Sequence, residues 1–366
     1  MRLGDVADGR DNNFNLIRIL AAGAVVVSHA FPIALGTGAV EPLETATGRS
    51  LGWIAVAVFF AISGFLITRS YERTRQVSRW LSARAMRLFP GLAVVLVLTA
   101  ALYGPAFTTL PLPGYFADGA VYSYVPRNLS LAFLQAGLPG VFADNPLPVA
   151  INGSLWTLMH EVTCYAGVLA LGLCGGLASR RGFTAFLAAY LIVFALANVP
   201  AVEAGLHPRA LALRDLSYPF VLGMALFHWR AAVPLSWLVA AALGGAAMLA
   251  RATPLFEPLF IGAIAYTTFV FAYRVGGAVR AYNRVGDYSY GLYIYAFPTQ
   301  QAVAAIAGPH SPLANIAWSL PIALSLALVS WHWIEHPALE NRHRLANWLA
   351  RGEKLILPLA SRSEPR

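Results

Sequence analysis

Arg18 and His29 stand eleven residues apart inside one apolar run, and this pair is the first sign of chemistry in the chain. Eleven residues make about three helical turns, so the two share a helix face and lie about 16 Å apart along its axis. Imidazole is the side chain whose ordinary pKa suits proton transfer near neutral pH. Each residue also has a plainer reading. Arg18 can be a cation snorkelling to the membrane surface, and His29 a satisfied polar residue near a helix end. Sharing a face weighs against both plain readings, because one face can line one cavity.

Ser154 and Glu161 are seven residues apart, two turns, and Tyr165 continues their stripe at i+4. A carboxylate about 10 Å inside a membrane span costs a few kcal/mol unless it is paired or wet. Glu161 is therefore either half of a structural salt bridge or a group that works on a substrate. His160 points to another side of the helix and reads as packing. Arg84 and Arg87, three apart, can also point one way on a helix. Guanidinium forks grip phosphate bidentately, although positive-inside topology with lipid phosphate explains them equally. Between Tyr288 and Tyr295 five side chains carry hydroxyls. Ser289, Tyr290 and Tyr293 are candidates to line a sugar or pantetheine path, with interfacial aromatics as the plain alternative. His332-Trp333-Ile334-Glu335-His336 fits a zinc-peptidase spacing. No third protein ligand stands nearby, so no metal is expected. No phosphate-binding glycine loop or dinucleotide fingerprint is present.

These side chains are positioned by a chain built for lipid. Of its 366 residues 58% are hydrophobic and only 12% charged, with a mean hydropathy of +0.61. That composition excludes a soluble enzyme, a disordered protein and a disulfide scaffold. The net charge of +9 does not point to nucleic acid, because the basic residues lie between apolar runs rather than on one patch. Continuous apolar runs predict an all-α polytopic membrane protein with about ten transmembrane helices. They fall near 14–34, 51–68, 88–105, 150–174, 183–199, 215–229, 233–250, 255–273, 286–306 and 314–334.

With the N-terminus placed inside, 20 of the 26 Lys and Arg fall on inner segments, five on outer ones, and Arg18 within the first span. The positive-inside rule then puts both termini in the cytoplasm. The first span follows a polar stretch and reads as retained rather than as a cleaved signal. The long segment 106–148 faces outside, and its aromatic content predicts packing against the membrane rim. Residues 1–340 read as one transmembrane domain and 341–366 as a basic cytoplasmic tail with an interfacial helix. Cys164 and Cys174 are too far apart on one helix for a disulfide. Gly172 and Gly176 have the spacing of a helix-packing motif.

Taken in order, these residues resemble the membrane-bound acyltransferase-3 family. Asn13-Phe14-Asn15-Leu16-Ile17-Arg18 with His29 resembles its first helix, and Phe59 to Thr68 its second. Arg84-x-x-Arg87 with Phe89-Pro90 resembles its basic motif. Ser154-Leu155-Trp156-Thr157-Leu158 with Glu161 and Tyr165 resembles its acidic motif. Ser289-Tyr290-Gly291-Leu292-Tyr293 and Ile334-Glu335-x-Pro337 resemble its last two helices. Ala296 stands where the family often has a histidine, and the chain has no room for the extracytoplasmic hydrolase-like domain many members carry.

The resemblance implies a multi-pass protein of the bacterial cytoplasmic membrane. It would transfer an acyl group, usually acetyl, from acyl-CoA to a sugar hydroxyl of an exopolysaccharide, lipopolysaccharide or related glycan. On this expectation Arg84 and Arg87, extended by Arg18, meet the phosphates of the donor. His29 acts as general base on the acceptor, and Glu161 orients His29 or holds the acceptor. Ser154, Tyr165, Ser289, Tyr290 and Tyr293 line the substrate path. A transporter or flippase would also bury Arg, His and Glu, but the halves of the chain show no matched broken helices.

Overall fold

The computed structural model describes residues 1–356 except Arg10, Arg75 and Val149, with side chains as far as Arg351. Residues 357–366 of the expected basic tail lie outside the described residues. Among the described residues there is no strand, only two isolated bridges, Arg2 to Pro234 and Thr108 to Val141. The long helices are α1 (Phe14–Leu35), α2 (Leu51–Thr74), α3 (Val77–Leu98), α4 (Trp156–Leu173), α5 (Arg180–Ala197), α6 (Pro208–His228), α7 (Trp237–Leu249), α8 (Phe256–Arg274), α9 (Ser289–Ala307), α10 (Pro312–Ser330) and α11 (Arg342–Ile356).

Each predicted span corresponds to one of α1 to α10. Seven of them are long and apolar enough to cross a bilayer: α1, α2, α3 extended to Phe107, α5, α6, α8, and α10 extended to Arg351. The other three differ for visible reasons. Helix α7 has only 13 residues. Helices α4 and α9 carry the polar side chains Glu161, Thr299, Gln300 and Gln301. The protein is thus a multi-pass helical membrane protein.

Local chemistry sets the helix ends. Ser179 and Ser311 accept the backbone N–H groups of Gly182 and Ala314 and so cap α5 and α10. Pro208 and Pro312 occupy the first turns of α6 and α10, where no N–H is needed. Asn13 ties the start of α1 to the end of α8, donating to the carbonyls of Phe271 and Val275 at 3.3 and 2.8 Å.

Between apolar helices in lipid, close backbone approach supplies packing that hydrophobicity cannot. Helices α2 and α6 show it: a Cβ on Gly64 would lie 1.9 Å from the Phe220 carbonyl oxygen, and one on Gly223 2.1 Å from that of Ala61. Of the predicted glycine pair, Gly172 also packs closely, against the Tyr71 ring, while Gly176 sits against Leu171 of its own turn.

Helix α9 runs through the middle, with every residue from Ser289 to Ala304 buried. Its many polar groups are therefore explained by neighbouring helices rather than by lipid or an aromatic belt. The extensions of α3 and α10 pass through π-turns at Thr99–Tyr103 and Trp331–Glu335. A π-turn leaves carbonyls short of partners, and the buried Tyr115 hydroxyl donates to Ala100 O at 2.8 Å. Tyr115 belongs to segment 106–148, which folds onto α3 through the short helices Leu112–Ala117 and Gly119–Leu129.

Candidate functional site

A cavity of about 870 Å³ is enclosed by α2, α3, α4, α9 and α11, with Arg18 of α1 on its wall. Its mouth is basic, with Arg69, Arg73, Arg79 and Arg342, and its deep end carries Glu161, Thr157, Tyr293 and Phe59. Arg79, Arg84 and Arg87 follow one another along α3, so the cationic lining extends about 12 Å inward from Arg79. Of the residues singled out in the sequence, Arg18, Arg84, Arg87, Glu161, Tyr165, Ser289, Tyr290 and Tyr293 line this one space. Ser154 and His29 do not.

The three inner arginines are not equivalent. Arg18 and Arg87 both donate to Asp287 Oδ2, at 3.0 and 2.6 Å. The other oxygen of Asp287 accepts the Ser289 hydroxyl at 2.5 Å. Burial opposes charge on Asp287, but Arg87, then Arg18, and the Ser289 bonds outweigh it and hold its carboxyl below the ordinary carboxylate range. Arg87 also lies 3.8 Å from Glu335, whose other oxygen accepts the Ser330 hydroxyl at 2.8 Å. The rings of Tyr290 and Trp331 stand 5.6 and 5.9 Å from its guanidinium carbon.

Two carboxylates and two aromatic faces therefore claim Arg87, and Arg18 shares Asp287 with it. The arginines expected to meet the donor's phosphates thus all line the cavity, with Arg18 and Arg87 held in this network. Arg84 differs: among the described residues it makes no hydrogen bond or ion pair, and its Nε is buried without a partner. Of the three inner arginines it is the one without such a partner.

At the deep end, Tyr165 donates to Glu161 Oε1 at 2.5 Å and Ser63 donates to the same oxygen at 3.2 Å. Among the described residues nothing donates to Oε2, so it remains available. Thr157 and Tyr293 join hydroxyls at 2.6 Å, and Phe59 packs edge-on to Tyr293 with ring centroids 5.9 Å apart. This contact roofs the cavity. Phe297, four residues and about 6 Å further along α9, packs edge-on to His29 with centroids 5.0 Å apart.

His29 thus lies beyond the roof, partly exposed. Among the described residues no hydrogen bond or ion pair joins it to Glu161. Ser154 is buried with its hydroxyl unpartnered, and Thr157, three residues on, takes the wall position instead. His160 packs as expected, its ring nitrogens 3.0 and 3.3 Å from the carbonyls of Trp156 and Arg209. The residues of the zinc-like spacing diverge. His332 meets the Tyr288 hydroxyl, Glu335 faces Arg87, and His336 approaches Glu340.

Sequence reasoning passed over Asp287, Glu335, Ser63 and Thr157. The signal for the first two was present. In a chain with 17 acidic residues, a carboxylate at either end of a span needs a cation, and the arginines of α1 and α3 supply it.

The fold and cavity define a multi-pass membrane protein with a cation-lined pocket leading to a carboxylate. Residues 11–333 match the family described as "Acyltransferase domain", and the chain belongs to that family. It is similar to "O-acetyl transferase" of Shigella phage Sf6, 29% identical over 339 residues, covering 89% of this chain and 95% of that one. It is also similar to "Nodulation protein 10" of Rhizobium leguminosarum bv. viciae, 27% identical over 379 residues, covering 93% and 96%. No solved structure matches. The protein is an acyltransferase.

Proposed function

We propose that this acyltransferase takes an acyl group, acetyl in the first instance, from acyl-CoA and passes it to a sugar hydroxyl of a glycan in the bacterial cytoplasmic membrane. All ten helices α1 to α10 cross the bilayer on this reading, and both termini are cytoplasmic. The cavity's basic mouth then opens to the cytoplasm, as the positive-inside rule requires. The observation that carries the reading is the cavity itself. It is of ligand size, it is basic at its mouth, its inner wall holds Arg84, which has no hydrogen bond or ion pair among the described residues, and it ends at a carboxylate.

Arg84 meets a phosphate of the donor. The pantetheine arm lies along Ser63, Tyr290 and Tyr293, and its amide N–H groups face Glu161 Oε2. The thioester carbonyl stops beneath the Thr157–Tyr293 contact. The acceptor hydroxyl arrives from the other side, past His29, which takes its proton as the C–O bond forms and the C–S bond breaks. The proton returns to the departing thiolate, so free coenzyme A leaves through the mouth. Such general base catalysis is typically worth 10²–10⁴ in rate. Opening the Thr157–Tyr293 contact joins the two sides.

The test is thiol release by purified protein given acetyl-CoA and cell-envelope glycan. The wild type is expected to release coenzyme A and acetylate the glycan. His29→Ala is expected to bind coenzyme A normally and to lose at least 100-fold in turnover, whereas Glu161→Gln is expected to bind coenzyme A more weakly. Full activity in a folded His29→Ala protein ends the assignment of the base.

A further inference from the structure

Helix α11 begins beyond the family's matched region, which stops at residue 333. It nevertheless forms part of the cavity wall. Arg342, His343 and Asn347 line the mouth opposite Arg79, while Ala346 is buried as the helix packs against α3. Arg342 and His343 use only part of their capacity, on the carbonyls of Leu339 and Glu340 at 2.9 and 3.0 Å. Arg79 makes no hydrogen bond or ion pair among the described residues. The rim thus gathers two guanidinium groups and an imidazole with hydrogen-bonding capacity to spare. It lies about 7.5 Å outward from Arg84 along α3.

Resting on the donor assignment above, we infer that α11 is a specificity element. Arg342 and His343, with Arg79, form a seat for the phosphate at the outermost end of the donor, the 3′-phosphate on its ribose. The reasoning is one of length and charge. Coenzyme A carries its thioester at one end and the phosphorylated ribose at the other, with the pyrophosphate between. A thioester held beside Glu161 leaves the pyrophosphate for Arg84 and the ribose end for the rim. Two rim guanidinium groups and an imidazole donor suit a doubly charged terminal phosphate, which dephospho-coenzyme A and pantetheine lack. The chain therefore discriminates among thioesters by their nucleotide end, with residues its family match does not include.

The experiment is equilibrium binding to the purified full-length chain in detergent without added lipid. The probes are coenzyme A, dephospho-coenzyme A and pantetheine, against wild type, R342A/H343A and R342K/H343R. Wild type is expected to bind coenzyme A about tenfold more tightly than the dephospho form, the 1.4 kcal/mol of one tenfold step. The alanine double variant is expected to lose that preference and to bind dephospho-coenzyme A as wild type does. The conservative variant is expected to restore it. Equal losses for all three probes would make α11 merely structural. An unchanged preference for coenzyme A would leave the rim side chains to lipid headgroups. Either result overturns the inference while leaving the donor assignment standing. A wild type that binds none of the three refutes the donor assignment and this inference together.

Discussion

Replacing Asp287 by Asn keeps the shape of the side chain and removes the charge that two arginines share. Arg18 and Arg87 lie 3.0 and 2.6 Å from Asp287 Oδ2, with side-chain exposures of 22% for each arginine and 11% for Asp287. Breaking a fully buried pair costs about 3–5 kcal/mol, because a charge is left uncompensated. Exposed pairs are worth at most about 1 kcal/mol. The network lies between these limits and Glu335 still faces Arg87, so the expected loss is about 2–3 kcal/mol. For a chain of this size that lowers the melting temperature by about 5 °C, readable by tryptophan fluorescence in detergent. Arg18→Met should cost less alone, and adding it to Asp287→Asn should cost less than the sum, because the two share one interaction. A double variant whose loss equals the sum of the single losses would refute the network as drawn. So would an Asp287→Asn protein that melts with the wild type.

Other consequences follow from the same geometry. The Asp287 carboxyl is held below its ordinary range, so its contribution to stability is present at neutral pH and fades as pH falls through the lowered value. The Asp287→Asn penalty measured near pH 7 should therefore shrink in strong acid. Arg84→Ala should raise KM for acetyl-CoA at least tenfold with little change in kcat, and Arg84→Lys should recover only part, since an ammonium lacks the fork. The measurement is steady-state thiol release. Gly64→Val should lower the melting temperature by destabilising the fold about 3 kcal/mol, because its Cβ falls 1.9 Å from a backbone carbonyl that cannot step aside.

Much of this architecture was legible in the residues because lipid simplifies the problem. Apolar runs must be helices, so α1 to α10 could be placed in order. The stripe of Ser154, Glu161 and Tyr165 put its last two members together on the cavity wall. What pattern could not supply was which helices meet. Arg18 and Arg87 converge on Asp287 across 269 and 200 residues of sequence, and no spacing encodes that. His29 shares a helix face with Arg18, yet Phe297 and the Thr157–Tyr293 contact place it outside the cavity Arg18 lines. The burial of α9 was hidden for a related reason. Its hydroxyls and glutamines look like surface chemistry until their partners are seen, Leu88 on α3 and Thr157 on α4 for Tyr290 and Tyr293, Val26 on α1 for Gln300, and the carbonyls of Leu147 and Ala150 for Gln301.

The most direct test of the account is a cryo-electron microscopy map of the full chain with a non-hydrolysable acetyl thioether analogue of acetyl-CoA. The account predicts the nucleotide at the mouth beside Arg79 and α11, a phosphate on Arg84, and the thioether sulfur between Glu161 and the Thr157–Tyr293 contact. An analogue seated anywhere other than this cavity, or one held in it with its acyl end at the basic mouth, would contradict it.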